Sequence, residues 1–372
     1  MEGSGTADRT LVQTPPCRAE DRLRQWLPVR LGSDVGPSER LMDIMEDGWA
    51  STTRQTYAAG VAAWLAFCDS CVPPIPHAER APAKEEMVLE FIASCVGAYS
   101  GSTVRNYVFG LKAWHTLHRV AWRVSEVALA KCFKAAERAA PPSSKRTIRP
   151  PVTVEMLSVA LGHLNLSDPL DAAVWACITT TYWSISRLGE FTVSSIDAFT
   201  KEKDVKRSDM MLDVQERGAT VTTFFLPSTK SANTQGETTQ WAAQDGPCDP
   251  RAAMLNHLAV NNPAPDSHLF TYRARNGLLR PLTNSACIMR VNTALAAGGL
   301  PPVKGHCFRI GGVLEWLLRG VPFEVVKVMG RWSSDAFTVY LRKRSSILAP
   351  YIQASPAFVP FTQLVAMPRR IR

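Results

Sequence analysis

Six side chains in the second half of the sequence are of types that could act together on a phosphodiester. In chain order they are Arg187, Glu190, Lys230, His306, Arg309 and Tyr340. They lie in the separate stretches 185–191, 226–231 and 305–342, so a fold must bring them together. Each alone is weak evidence, because an isolated arginine, lysine or tyrosine usually packs or faces solvent. Their order and spacing together indicate a site.

These residue types suit displacement at a phosphodiester. That reaction places negative charge on the non-bridging oxygens. Arg187 and Arg309 could hold those oxygens, since a guanidinium binds two oxygens at once and stays charged. His306 lies three residues before Arg309, so at the start of a helix both side chains point the same way. Tyr340 suits the nucleophile, because a phenolate can leave again and the covalent step stays reversible. Lys230 could protonate the departing sugar oxygen.

The pattern resembles a known family. Arg-x-x-Glu late in a helix, a hairpin lysine, His-x-x-Arg at a helix start, and Gly-(His or Trp) before a tyrosine form the signature of the tyrosine recombinases, or phage-integrase family. The resemblance implies that Arg187, Lys230, His306, Arg309 and Tyr340 are catalytic and that Glu190 helps to orient the first arginine. It implies a 3′-phosphotyrosyl intermediate on Tyr340. Since two arginines neutralise the phosphate, we expect no metal and no cofactor.

One catalytic position departs from the family pattern. The family usually has His or Trp nine residues before the tyrosine, but here Arg331 stands there and Trp332 follows it. We favour Trp332 as the catalytic residue, because an indole N–H can donate to a phosphate oxygen. Arg331 would then support the site, or it would itself give the phosphate a third guanidinium. The remaining alternative is that Trp332 only packs and Arg331 faces solvent.

The hydrophobic pattern predicts a mainly α fold with a small β-sheet. Apolar residues recur with a helical period through residues 46–140, which predicts a compact helical domain. That domain resembles the SAM-like core-binding domain of the family. Residues 153–372 mix helical stretches with β-branched runs at 209–215 and 219–226, followed by a third strand at 238–242. This mixture fits an α+β tyrosine-recombinase catalytic domain.

Three further segments complete the predicted organisation. Residues 1–45 open without clear periodicity and are interpreted as a mobile N-terminal arm. Residues 141–152 contain four prolines and several basic residues, which predicts an extended basic linker. The C-terminal tail, residues 346–372, carries more apolar side chains than a disposable tail should. It is expected to dock on another protomer or on its own chain.

The charge balance favours an anionic partner. Lys and Arg number 42 against 33 Asp and Glu, a net charge of +9. With the resemblance, this predicts double-stranded DNA as the partner. Candidate DNA contacts off the apolar stripes and in the linker are Arg54, Arg105, Lys112, Lys145, Arg146 and Arg149. We see no apolar run long enough for a membrane span and no secretory signal, so no membrane partner is expected.

The resemblance also implies a homotetramer on DNA, with a monomer possible off it. The sequences Arg309-Ile-Gly-Gly and Gly330-Arg-Trp-Ser-Ser-Asp-Ala-Phe are similar to eukaryotic members, especially fungal Crypton-type transposon recombinases. That similarity implies a nuclear protein, and otherwise a cytoplasmic one. Two alternatives are a domesticated DNA-binding protein that no longer cuts and a type IB topoisomerase that relaxes DNA.

Overall fold

The computed structural model describes residues 21–29, 36–145, 149–229, 232, 235–334, 338, 345 and 347. The chain forms two compact units that divide between Thr147 and Ile148. The division falls inside the segment where the sequence predicts a linker, and the roles predicted for the two domains stay predictions. The prediction of a mainly α fold with a small β-sheet is confirmed. Among the helices of the described residues, none is both long and apolar enough to cross a membrane.

The first unit is helical throughout its described part. Its helices are α1 (Arg22–Gln25), α2 (Glu39–Asp47), α3 (Ser51–Ser70), α4 (Glu85–Cys95), α5 (Gly101–Leu117) and α6 (Glu126–Arg138). Serine side chains begin two of the longer ones. Ser100 accepts a hydrogen bond from the backbone N–H of Thr103, and Ser125 accepts one from Ala128. These bonds satisfy N–H groups that a helix start leaves without a helical partner.

The start of the chain departs from the predicted mobile arm of residues 1–45. Leu23 and Trp26 are buried in the core of the first unit. The Trp26 ring stacks on Trp114 at 3.8 Å between centroids, and the Trp114 indole N–H donates to the Trp26 carbonyl at 2.9 Å. This run is too short to show a helical period, so its two large apolar side chains were not recognised as core residues.

In its described residues the second unit combines six α-helices with two small sheets. The helices are α7 (Val154–Leu161), α8 (Pro169–Trp183), α9 (Pro250–Asn261), α10 (Asn284–Ala297), α11 (Gly305–Leu318) and α12 (Phe323–Met329). The strands are β1 (Met210–Glu216), β2 (Ala219–Leu226), β3 (Glu237–Ala242), β4 (Tyr272–Arg273) and β5 (Leu279–Arg280). Strands β1, β2 and β3 pair antiparallel in that order. The β4–β5 hairpin was not predicted, because its strands are only two residues long.

Helix α8 lies at the centre of the second unit. Every residue from Asp171 to Trp183 is buried, as expected for a helix that is apolar on all sides. Its start is fixed by Asp168, whose side chain accepts hydrogen bonds from the backbone N–H groups of Leu170 and Asp171. Because neighbouring elements fix this helix on all sides, the segments at its two ends are fixed as well. The stretch 185–191 directly follows its C-terminal end.

Candidate active site

The first predicted arginine lies in a turn directly after α8. Ile185 has a left-handed backbone conformation (φ 51°), which redirects the chain after the helix. Arg187 then begins a short 3-10 turn, Leu188–Glu190. Its backbone N–H donates to one Glu190 carboxylate oxygen at 2.8 Å and its Nη1 donates to the other at 2.7 Å. Glu190 therefore fixes both the backbone and the guanidinium of Arg187, while that side chain stays 31% exposed.

Glu190 also binds a second arginine. Its side chain is only 6% exposed, and Oε2 lies 2.5 Å from Nη2 of Arg331. Burial alone would raise the pKa of this carboxyl group, but the positive charges of Arg331 and Arg187 and the hydrogen bonds from Arg187 outweigh it. The pKa of Glu190 therefore lies below its ordinary value. An ionised carboxylate thus joins two guanidinium groups.

Arg331 faces the protein with all three of its guanidinium nitrogens. Nη2 binds Glu190, Nη1 donates to Ser186 Oγ at 3.3 Å, and Nε lies 3.4 Å from Glu237 Oε2. The side chain is 9% exposed, so the alternative in which Arg331 faces solvent is wrong. Its backbone is left-handed (φ 57°), a conformation that a non-glycine residue adopts at a cost. The left-handed turn directs the side chain towards Glu190.

Glu237 extends these contacts to the turn between β2 and β3. Its Oε2 accepts a hydrogen bond from Thr229 Oγ1 at 2.7 Å. Thr229 in turn exchanges hydrogen bonds with Ala232 across that turn, at 3.2 and 3.0 Å. Lys230, the predicted proton donor, follows Thr229 in the sequence and lies outside the described residues. Arg331 is therefore connected, through Glu237, to the turn that contains this lysine.

Two glycines let α11 lie close to neighbouring backbone, Gly312 at the end of α8 and Gly311 just before α7 begins. A Cβ added at Gly312 would lie 2.1 Å from the carbonyl oxygen of Tyr182, and one at Gly311 would lie 2.0 Å from that of Val152. No side chain fits at these distances, so only glycine permits this contact. The contact places the first turn of α11, with His306 and Arg309, beside the segment that contains Arg187.

Arg309 is fully buried and bound to the end of α12. Its Nη2 donates to the carbonyl of Gly330 at 2.6 Å. Its guanidinium carbon lies 4.3 Å from the ring centre of Trp332, a cation–π contact. The same ring covers Gly330, where an added Cβ would come within 1.7 Å of it. Trp332 therefore packs against the predicted catalytic arginine, and its own catalytic role stays a prediction.

His306 is half-buried at the start of α11. Burial lowers the pKa of its imidazole to about 4, with further lowering by the positive charges of Arg149, Arg309 and Arg187. The ring is therefore neutral at pH 7. Arg149 was predicted as a DNA contact in the linker, and its charge acts on the same histidine as the two predicted catalytic arginines.

The other predicted residues are placed as follows. Tyr340, Lys230 and Arg146 lie outside the described residues. Arg54 lies 3.9 Å from Glu46, Lys112 binds Glu126, the Arg105 guanidinium lies 5.5 Å from the Phe133 ring centre, and Lys145 is exposed. Their roles as DNA contacts stay predictions. The ion pairs of Arg54 and Lys112 would compete with a phosphate for the same guanidinium or ammonium group.

Two residues of the site were not singled out from the sequence. Ser186 lies within the recognised stretch but has no motif position of its own. Glu237 begins β3, and nothing in the alternation of that strand distinguishes it from a surface acid. Its pairing with Arg331, 94 residues later in the chain, depends on the fold (331 − 237 = 94).

Comparison with known proteins adds information at the level of the fold. No protein-family model matches the sequence, and no curated protein matches it.

Solved structures that are similar to this chain include the following three. The XerH site-specific recombinase bound to palindromic difH substrate, in a post-cleavage complex, has a TM-score of 0.54 and 15% identity over 85% of this chain and 84% of that one. The XerH pre-cleavage complex with difH has a TM-score of 0.48 and 15% identity over 84% of each chain. A dimer of lambda integrase residues 75–356 bound to a COC′ core site has a TM-score of 0.48 and 13% identity over 82% of this chain and 94% of that one. The first of these similarities shows that the chain has the fold of the XerH site-specific recombinase.

Proposed function

We propose that the chain is a tyrosine site-specific recombinase that cleaves and rejoins DNA through a 3′-phosphotyrosyl intermediate on Tyr340. The observation that carries the proposal is the convergence of Arg187, His306 and Arg309, from separate stretches of sequence, at one end of α8. The family signature has an acidic residue three positions after the first arginine. Glu190 stands at that position and binds Arg187 as expected. The chain shares its fold with XerH, whose solved structure contains difH substrate. This similarity supports DNA as the partner.

In this proposal Arg187 and Arg309 hold the non-bridging oxygens of the scissile phosphate. Arg187 is partly exposed and already oriented by Glu190, so it can meet the phosphate as the chain stands. Arg309 is fully buried, so its contact with phosphate requires a change in conformation. His306 is neutral at pH 7 and can donate a hydrogen bond to the phosphate from one ring nitrogen. Lys230 protonates the leaving sugar oxygen.

Arg331 and Trp332 act through these groups. Arg331 is a positioning residue, because its three nitrogens face protein oxygens and hold Glu190 and the β2–β3 turn. Trp332 stabilises the Arg309 guanidinium by lying against it, a contact worth roughly 0.5–2 kcal/mol. This arrangement differs from the third guanidinium on the phosphate considered above, since Arg331 is already occupied by two carboxylates and a hydroxyl.

The wider biological setting is proposed on the family resemblance. Four copies would act on two duplexes, each bound mainly through phosphates by lysine and arginine. On the similarity to Crypton-type recombinases, a eukaryotic transposon would encode this chain. The protein would then act in the nucleus.

The decisive experiment traps the covalent intermediate. Duplexes nicked near the cleavage position lose a short fragment after attack, so the enzyme stays attached to the DNA. A pool of such duplexes with randomised sites is incubated with protein in EDTA, and products are separated on a denaturing gel. Wild type is expected to give a slowly migrating adduct, and Tyr340→Phe none. Tyr351→Phe, at the next tyrosine in the sequence, is the matched control and is expected to retain the adduct.

The other outcomes identify the alternatives. An adduct that persists in Tyr340→Phe would assign the nucleophile elsewhere and reject the proposal. Salt-sensitive DNA binding without any adduct would favour the domesticated binding protein. Adducts on a supercoiled plasmid that lead only to relaxation, without exchange of strands between two duplexes, would favour the topoisomerase.

A further inference from the structure

A second basic site lies on the second unit, away from the residues described above. A cleft of about 590 Å³ opens between the start of α8, the β4–β5 hairpin and α10. This size lies within the roughly 300–1,000 Å³ of ligand-binding clefts. Its lining includes four arginines, Arg273, Arg275, Arg280 and Arg290.

One of the four arginines is neutralised inside the protein. Arg290 binds both carboxylate oxygens of Asp171, at 2.6 and 2.7 Å. Asp171 is 6% exposed and also accepts a hydrogen bond from the backbone N–H of Asn165. This pair forms a fixed wall of the cleft and adds no net charge to it.

The other three arginines leave the cleft positive. Within the described part of the chain, Arg273, Arg275 and Arg280 form no ion pair, and Arg273 donates to the backbone carbonyl of Gly277 at 2.9 Å. The remaining acid of the lining is Asp168, and one of its oxygens already accepts two backbone N–H groups at the start of α8. Three guanidinium groups therefore face one carboxylate, and an anion would restore the balance.

The cleft is separate from the candidate active site. It lies at the first residues of α8, whereas Arg187 follows the last. Since α8 has 15 residues, a rise of about 1.5 Å per residue separates its two ends by roughly 22 Å. A ligand in the cleft would not touch the phosphate held by Arg187.

We infer that this arginine cleft binds the sugar–phosphate backbone of DNA outside the segment that is cleaved. Guanidinium groups suit phosphate because their planar fork binds two oxygens at once. The inference rests on the proposed function, since a duplex held at the active site extends beyond it. The side-chain amide of Asn276 and the ring of Tyr272 in the same lining can accompany the arginines on sugar and phosphate.

The test removes two cleft charges and compares them with two charges elsewhere. The full chain with Arg275→Gln and Arg280→Gln is titrated with a fluorescein-labelled 40-bp duplex at several salt concentrations. The slope of log affinity against log salt should fall by about two relative to wild type, one per lost phosphate contact. The control carries Arg251→Gln and Arg319→Gln, which remove arginines already bound to Asp213 and Glu315. Its slope should match wild type.

Each other outcome has a definite meaning. Equal loss of slope in both double variants would assign the effect to net charge and overturn the cleft. A cleft variant with the same salt slope as wild type would also overturn the inference about the cleft. Adduct formation by wild type would in that case still support the proposed function. If wild type binds no duplex, the proposed function itself fails. A deca-glutamate peptide that binds wild type but not the cleft variant, with DNA binding unchanged, would assign the cleft to an acidic protein instead.

Discussion

The two ends of α8 each hold arginine on a buried carboxylate, yet they balance charge differently. At the first end Asp171 binds one arginine, Arg290, through both oxygens. At the second end Glu190 is shared between Arg187 and Arg331. The two carboxylates are equally buried, each with 6% of the side chain exposed. The difference therefore lies in the number of arginines, not in burial.

On the proposed function, this difference separates a structural pair from a functional cluster. One acid with one arginine satisfies both groups, and removing either leaves an uncompensated charge. At the second end two carboxylates, counting Glu237, face two arginines. Arg309 and Arg149 add further positive charge beside His306, and an anion would balance this surplus. The surplus is what a site for a phosphodiester requires. Four predictions test this distinction, ordered by decreasing size of effect.

The largest effect is expected from Arg187→Ala. Loss of a guanidinium that faces the developing negative charge should slow adduct formation about 100- to 1,000-fold in a single-turnover assay on nicked duplex. The matched control is Arg251→Ala, which also removes an arginine bound to a carboxylate, that of Asp213, but on the surface. Comparable losses in both variants would contradict the functional assignment.

A smaller effect, on folding rather than chemistry, is expected at the other end of α8. Arg290→Met should lower the free energy of unfolding in urea by about 2–3 kcal/mol, below the ~3–5 kcal/mol of a fully buried pair. The lower figure follows because the Arg290 side chain is 23% exposed. Adding Asp171→Asn should recover part of the loss, because no buried charge is then left unpaired. If Arg290→Met lowered adduct formation tenfold and left stability unchanged, the first end of α8 would be functional and not structural.

Arg331 should show an intermediate behaviour. Arg331→Met should slow adduct formation about tenfold, roughly 1.4 kcal/mol, with DNA affinity unchanged, because Glu190 and the β2–β3 turn lose a common partner. Arg331→Lys should restore part of the rate. Glu237→Gln should have a weaker effect of the same kind, and the double variant should lose less than the sum of the two. Additive losses would indicate that Arg331 does not act through Glu237.

The smallest effect is a shift in the titration of His306. The pKa of its ring is about 4 in the folded chain, below the ~6.5 of an unfolded one. Its contribution to stability is therefore complete above pH ~6.5 and is lost as the pH falls towards 4. Bound DNA should raise this pKa, because phosphate offsets the neighbouring arginine charges.

Histidine NMR with and without DNA would measure this shift. His257 is the internal control, because burial also lowers its pKa to about 4 but the residue lies under Leu269, outside the arginine cluster. Equal shifts at both histidines would point to a global change in place of a local phosphate.

Local spacing made part of the site predictable. Arg187 and Glu190 lie in one turn, and His306 and Arg309 lie on one face of α11, so their sequence intervals translate directly into proximity. The two glycines after Arg309 entered the prediction only through their similarity to family sequences. The structure gives their physical reason, which is the contact of α11 with the carbonyl of Tyr182.

Contacts between distant parts of the chain were not predictable. Arg331 and Glu190 are 141 residues apart, and the direction of the Arg331 side chain depends on a left-handed backbone that no composition rule requires of arginine. The same limit applies to Trp26, whose ring packs on Trp114, 88 residues later in the chain. In each case the sequence offered the residue type, and the fold supplied the partner.

The complete burial of Arg309 has a kinetic consequence. If only a small fraction of molecules exposes this guanidinium at any moment, the apparent affinity for the reactive mode falls by that fraction. Adduct formation would then level off with rising DNA concentration at the rate of opening, even when chemistry is faster. On the proposed function, a short polyanion would leave before this guanidinium is exposed, and only a duplex that stays bound longer would be cut.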